Sequence, residues 1–245
     1  MVINVHGGHN RIVPGASGYL DEVTEDRAVT AQVIAKLRAL GHTVFDCTDD
    51  SGRTQGQNLA NIVHACNAHA ADLDVSIHLN SGGGTGTEVL VYSDTGAAAG
   101  YAVKICAAIS ELGYRNRGVK ERKNLYVLRR TTAPALLVEC CFVDSVADAQ
   151  RFDADKMAAA IVRGITGQTA AQTGAAPAQQ TGYHVRITAS ILNVRRDHSA
   201  SSAVATQVRR GEVYTIVDEY NNGGTLWGKL KSGAGWIALK YTQSV

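Results

Sequence analysis

Long hydrophobic runs are missing from this 245-residue sequence, and no stretch is apolar enough to cross a bilayer as a helix. No leader is expected either: Met1-Val2-Ile3-Asn4-Val5-His6 runs straight into an apolar strand pattern, without a basic start or a small-residue cleavage site. Synthesis in a cytoplasm without a signal peptide, and no membrane partner, are the resulting expectations. Cysteine is sparse and odd in number: Cys47, Cys66, Cys106, Cys140 and Cys141, none of them in the C-terminal region. That excludes an evenly paired disulfide framework and fits reduced thiols. Net charge is nearly absent at +2, which argues against bulk attraction to nucleic acid. Hydrophobic residues at 45% and charged residues at 19% are those of an ordinary globular chain.

The small net charge hides an asymmetry. Residues 1–168 carry 16 Lys and Arg against 18 Asp and Glu, whereas residues 183–245 carry 8 against 4. Between them, residues 168–182 have no charge, no aromatic and no large aliphatic side chain. Such a segment cannot bury enough apolar surface to offset its ordering entropy, so it reads as a linker between two domains.

Before the linker, strand and helix patterns alternate. Val2–Val5, Thr43–Asp46, Val75–His78, Glu88–Tyr92 and Ala135–Glu139 read as strands. Helices are expected over Val23–Leu40, with Thr24 as N-cap, and over Gln57–Ala70, Ala97–Leu112 and Ala147–Ile165. Alternation of this kind predicts an α/β domain, a mostly parallel sheet flanked by helices on both faces. After the linker, Ser190–Val194, Val213–Glu219, Trp227–Leu230 and Gly235–Ala238 are short β-rich runs divided by turns such as Asn221-Asn222-Gly223-Gly224. They predict a small all-β barrel domain.

In an open α/β sheet, sites form beyond the carboxyl ends of the strands. His9 follows the first strand, His78 ends the strand of Ser76-Ile77-His78-Leu79-Asn80, Glu139 ends the strand Ala135–Glu139, and Glu22 opens the first long helix. Two histidines and a carboxylate at such an edge suit a catalytic zinc ion, which takes three protein ligands and keeps one position for water. A further carboxylate held off the metal then serves as general base. His6 stands as an alternative to His9, and Glu25 to Glu22. Cys140 and Cys141 beside Glu139 read as small packing residues, and His42, His64, His69, His184 and His198 as surface or packing residues. Arg129 and Arg130 either meet substrate carboxylates or lie solvated.

Four segments in order resemble the type 3 zinc N-acetylmuramoyl-L-alanine amidases of bacterial autolysins and phage endolysins. They are Gly8-His9 followed by Gly15-Ala16; Glu22 opening a helix, with Asp26 where the family often has Asn; Ser76-Ile77-His78-Leu79-Asn80; and Leu125-Tyr126-Val127-Leu128-Arg129 leading through Pro134-Ala135 to Val138-Glu139 and Phe142. The resemblance spans residues 1–166. It implies zinc ligands at His9, Glu22 and His78 and a catalytic glutamate at Glu139. The implied reaction is hydrolysis of the amide between N-acetylmuramic acid and L-alanine in peptidoglycan. His6-Gly7-Gly8-His9-Asn10 departs from the family's Gly-His-Gly-Gly; the distance to Gly15-Ala16 favours His9 over His6. Cys141 stands where the family usually has Gly.

Residues 183–245 resemble bacterial Src-homology-3-like domains that accompany wall hydrolases. Leu192-Asn193-Val194-Arg195, Val208-Arg209-Arg210-Gly211-Glu212, Leu226-Trp227-Gly228-Lys229-Leu230 and Gly235-Trp236-Ile237 carry that likeness. It implies binding to peptidoglycan or another wall polymer. Trp227 and Trp236 are candidate binding aromatics, although in so small a barrel at least one is expected to be core. The expected organisation is a catalytic domain over 1–167, a linker over 168–182 and a wall-binding domain over 183–245. A monomeric endolysin, released to the wall through membrane holes, is the expected biology.

Overall fold

The computed structural model describes residues 1–168, 183–222 and 225–244. All of the expected linker except Gln168, and Gly223-Gly224 of the expected turn, lie outside the described residues. The chain divides into two compact units, residues 1–171 and 172–245.

The first unit contains a six-stranded sheet in the order β2-β1-β3-β6-β4-β5. Its strands are β1 (Val2–Gly7), β2 (Thr43–Asp46), β3 (Leu73–Asn80), β4 (Thr87–Val91), β5 (Asn116–Glu121) and β6 (Ala135–Phe142). All neighbours are parallel except β4 and β6, which run antiparallel. The exception follows from the short connection of residues 81–86, too short for the crossover that a parallel return needs. Strand β5 was not expected; most of its residues are only half-buried, so it lacks the continuous apolar run of a central strand.

Alternation along the strands builds two cores. Val89, Val91, Leu136 and Val138 point into one core with α1 (Glu22–Ala39), α3 (Ala99–Ser110) and α6 (Ala154–Thr166). Leu90 and Leu137, one residue out of step, point into the other with α2 (Gln55–Asn67) and α4 (Tyr126–Arg130). Helices therefore cover both faces. The expected helix over Ala147–Ile165 is two helices, α5 (Val146–Arg151) and α6, because Asp153 is extended and caps α6 through the amides of Asp155 and Lys156. The N-cap of α1 is Asp21, not Thr24: the Asp21 carboxylate accepts from the Thr24 amide at 2.9 Å and hydroxyl at 2.6 Å. An aspartate one residue before a glutamate-led helix satisfies an orphan amide and favours the helix dipole. That shift matters, because it makes Glu22 the first helical residue.

The second unit is an antiparallel sheet of seven strands: β7 (Tyr183–Ile187), β8 (Ile191–Arg195), β9 (Val204–Arg209), β10 (Val213–Asn222), β11 (Thr225–Leu230), β12 (Trp236–Ala238) and β13 (Thr242–Ser244). Their order is β13-β7-β10-β11-β12-β8-β9, around a core that includes Val185, Ile187, Val194, Ile216, Leu230 and Ile237. The expected barrel is not closed, since no pairing joins β9 to β13 among the described residues. Strand β9 offers little reason to close it: of its residues only Val208 is buried.

Candidate metal and catalytic site

The carboxyl edge of the sheet gathers residues far apart in sequence. Strand β1 ends at Gly7, and the chain continues into a loop whose Gly8 amide donates to the Ile77 carbonyl of β3 at 2.9 Å. His9 follows with φ 48°, the one non-glycine residue at positive φ among the described residues. His78 lies near the end of β3, and Glu139, in the adjacent β6, is its register partner.

Glu22 sits at the centre. Its Oε2 accepts from the Ala16 amide at 2.7 Å, and its Oε1 accepts from the Leu79 amide at 3.1 Å. The same Oε1 lies 3.1 Å from His78 Nδ1 and 3.7 Å from His9 Nε2. One ligand atom from each of His9, Glu22 and His78 falls within 4.8 Å of the others. Tetrahedral zinc with bonds of roughly 2.0–2.1 Å holds neighbouring donors about 3.4 Å apart, so these spacings fit one ion. The donor set fits as well: two imidazoles and a carboxylate, on a rim where the histidines keep partial exposure.

Charge coupling is visible in the ionisation of the group. Burial works to raise the Glu22 pKa, but the hydrogen bond and charge of His78 and the Ala16 amide outweigh it, so Glu22 stays below its ordinary value. Burial likewise works to lower His78, and is outweighed by its bond to Glu22 and the charges of Glu139, Glu22 and Asp26, which raise it. Glu139 is different. Burial pushes it up to about 7, with Glu22 and Glu88 adding and His78 opposing, and its Oε2 is buried without a hydrogen-bond partner. A carboxyl poised near neutrality is suited to taking and returning a proton.

Glu139 opens on a cleft of about 250 Å³ that His6, His9 and His78 also line, walled by residues including Asn58, Leu59, Ile62, Leu125 and Tyr126. His6 is in the cleft but outside the His9–Glu22–His78 cluster; burial and the charge of His78 lower its pKa to about 3 and hold it neutral. Glu25 is one turn along α1, half-buried, and also outside the cluster. Cys140 and Cys141 are buried in the main core with their thiol pKa values raised by burial, so they stay protonated packing groups. Arg129 and Arg130 are exposed on α4 and do not line this cleft.

The surroundings include residues that sequence reasoning did not single out. Glu88 faces Glu139 across the antiparallel ladder and is engaged by Asn80 at 3.0 Å and Arg117 at 2.8 Å. The glycine-rich loop of residues 81–86 is anchored: Asp144 accepts from the amides of Gly82 and Gly83, and buried Asp148 accepts from the Thr85 hydroxyl and the amides of Gly86 and Phe142. Asp49 anchors Asn58, which lines the cleft. Its carboxylate accepts from Ser51, Gly52, Asn58 and Asn61. These partners had no sequence signal, since polar loop residues far apart in the chain carry no period.

Such a structure is an α/β protein with a candidate metal centre at the carboxyl edge of its sheet. The chain belongs to the Amidase_3 family, N-acetylmuramoyl-L-alanine amidase, whose profile matches residues 1–167. It is 32% identical over 209 residues to the sporulation-specific N-acetylmuramoyl-L-alanine amidase of Bacillus subtilis (strain 168), covering 83% of this chain and 80% of that protein. It is 38% identical over 154 residues to an uncharacterised protein of Clostridium perfringens (strain 13 / Type A), spanning 60% of this chain but only 45% of that relative. Among solved structures, the catalytic domain of an endolysin targeting Clostridia difficile superposes with a TM-score of 0.64 at 27% identity, covering 69% of this chain and 98% of that domain.

Proposed function

We propose that this chain hydrolyses the peptidoglycan amide joining the lactyl carbonyl of N-acetylmuramic acid to L-alanine, with zinc held by His9, Glu22 and His78 and Glu139 as the catalytic acid and base. The single observation that carries the reading is the meeting of His9, Glu22 and His78 donor atoms beside a half-buried Glu139, in a member of this amidase family. Bound zinc supplies Lewis-acid polarisation of the scissile carbonyl and activation of water. The chain's own groups do the rest. The Ala16 and Leu79 amides fix the Glu22 carboxylate. Glu139, lining the cleft beside the donor cluster, takes a proton from the attacking water and returns one to the leaving alanine amine. The cleft walls of Leu59, Ile62, Leu125 and Tyr126 exclude bulk water around that transfer.

The division of labour follows the expected organisation: catalysis by residues 1–167, a linker over 168–182, and wall binding by residues 183–245. Support for the last comes from the basic excess of the second unit and a cavity of about 530 Å³ in it. Arg195 and Lys240 line that cavity beside Trp227 and Tyr241. Trp227 is itself buried, so it forms the floor. A weak wall binder tethered to the enzyme raises local substrate concentration. In this reading the protein acts as a monomeric endolysin at the bacterial wall. All five cysteines are buried and unpaired, in keeping with a reducing site of synthesis.

The test is digestion of purified Gram-positive walls by wild type and Glu139→Ala, each as purified, after chelation and after zinc is returned. Release of N-terminal alanine that chelator abolishes, zinc restores and Glu139→Ala lacks is the expected result. New termini from within the peptide stem would make the enzyme a wall peptidase instead. Intact walls, or full activity in Glu139→Ala, would overturn the catalytic assignment.

A further inference from the structure

His9 occupies a backbone conformation that non-glycine residues rarely adopt and that persists only where neighbours over-determine it. Arg27, in the second turn of α1, supplies that determination. Its Nη1 donates to the Gly8 carbonyl at 2.8 Å and its Nη2 donates to the His9 carbonyl at 2.8 Å. The Gly8 carbonyl belongs to the peptide plane before the His9 Cα, and the His9 carbonyl to the plane after it. One planar guanidinium thus fixes the rotation on each side of His9. The fork is itself aimed from behind: Nη1 also donates to Asp26 at 2.7 Å and Nη2 to Asp50 at 2.7 Å. A Cβ on Gly7 would lie 2.2 Å from Arg27 Nη1 and 2.9 Å from Asp26 Oδ1, so a side chain there would displace the fork.

We infer that Arg27 is a positioning residue for the metal centre, clamping the two carbonyls that bracket His9 so that its imidazole is presented toward Glu22 and His78. The inference rests on the proposed metal reading of His9, Glu22 and His78. It goes beyond that reading because Arg27 touches neither of the other two ligands and none of the motifs above includes it. The clamp needs the guanidinium shape and not only its charge. An ammonium is a point donor and cannot hold two carbonyls in one plane while keeping two carboxylates behind it. Groups that orient a metal ligand from behind are worth roughly 10–100-fold in metal affinity.

Full-length wild type, Arg27→Lys and Arg27→Gln are compared in three ways. These are zinc affinity by competition with a chromophoric chelator, the absorption spectrum of the cobalt-loaded chain, and thermal unfolding of the metal-free chain. Expected is a roughly 10–100-fold loss of zinc affinity in both variants, together with an altered cobalt spectrum. Turnover of wall substrate should fall with KM little changed. Lysine restoring charge without restoring affinity is the signature of the fork. Wild-type affinity and spectrum in both variants, with only a lower unfolding temperature, would make Arg27 a purely structural residue and overturn the inference. If neither variant folds, Asp50→Asn is decisive. The Asp50 side chain is 69% exposed, and removing its charge loosens the fork. A few-fold weaker zinc affinity is then expected, and unchanged affinity rejects the clamp. Wild type that binds no zinc, or binds it equally well as His78→Ala, would instead remove the underlying metal reading.

Discussion

His78 and Glu139 are register partners in adjacent parallel strands, so the sheet itself sets a candidate metal ligand and a candidate base side by side. Their environments push them apart chemically: His78 is engaged with Glu22, whereas Glu139 Oε2 has no hydrogen-bond partner among the described residues. If Glu139 moves the proton, Glu139→Gln should keep the shape of the cleft and one zinc per chain. Alanine release should fall by about 10²–10⁴-fold. Zinc stoichiometry measured beside turnover checks this; loss of zinc together with turnover would place Glu139 among the ligands instead.

Two glycines let the backbone approach the cluster. A Cβ on Gly8 would lie 2.0 Å from His78 Cε1, and one on Gly15 would lie 2.2 Å from Glu22 Oε2. Neither contact can be relieved at the tip of a flexible side chain, because His78 and Glu22 are both held at the cluster. Gly8→Ala is expected to destabilise the metal-free chain by about 1–3 kcal/mol, the usual range for overpacking, and to weaken zinc binding at least about tenfold. Gly56→Ala is the control, since a Cβ there meets nothing within 4 Å inside α2. It should leave zinc binding unchanged and raise stability by a few tenths to about 1 kcal/mol. Thermal unfolding with and without zinc reads both.

Much of this site was legible in the sequence because it is carried by strand ends. Val2–Val5, Val75–His78 and Ala135–Glu139 are apolar runs that stop at or just before a polar residue, and the structure lengthens each by only a few residues. The antiparallel β4–β6 pair was not legible, since a buried strand reads the same in either direction. Nor was β5, whose Asn116-Arg117-Gly118 start carries no apolar alternation. Arg27 and Asp49 were invisible for a different reason. Arg27 works on the backbone carbonyls of Gly8 and His9 in another element, and Asp49 on a local set of loop amides and asparagine side chains, neither of which leaves a periodic pattern in residue type.

Asp49 gives the fold a pH signature. Burial works to raise its carboxyl, but hydrogen bonds from Ser51, Asn58, Asn61 and Gly52 outweigh it and lower the pKa from 3.8 to about 2. A depressed carboxyl contributes stability above its unfolded pKa and loses it as pH falls through the folded one. The contribution is therefore complete above about pH 4 and fades between about pH 4 and 2. Asp49→Ala leaves the buried Gly52 amide and the part-buried Ser51 amide without their acceptor and should cost about 1–3 kcal/mol near neutrality. The gap in unfolding temperature between wild type and Asp49→Ala should narrow as pH is lowered through that window. A gap that stays constant from pH 6 to about 2 would show that the ionised carboxylate is not what holds the loop.

His6 and His9 make contrasting predictions although both line the cleft. His9 Nε2 is 3.7 Å from Glu22 Oε1, within the cluster of donor atoms. His6 instead directs Nδ1 toward the Gly7 carbonyl at 3.3 Å and the Ser76 hydroxyl at 3.5 Å, both of them long contacts. Its low pKa makes it a neutral imidazole throughout the working range, so it adds no positive charge beside a cation. His9→Ala should therefore abolish stoichiometric zinc binding, as should His78→Ala. His6→Asn should keep one zinc per chain with affinity within about tenfold of wild type, the lower edge of what a residue outside the ligand set contributes. Metal content after dialysis against a weak chelator separates the cases. Retention of zinc by His9→Ala together with its loss from His6→Asn would reverse the ligand assignment and put the metal deeper in the cleft, between His6 and His78.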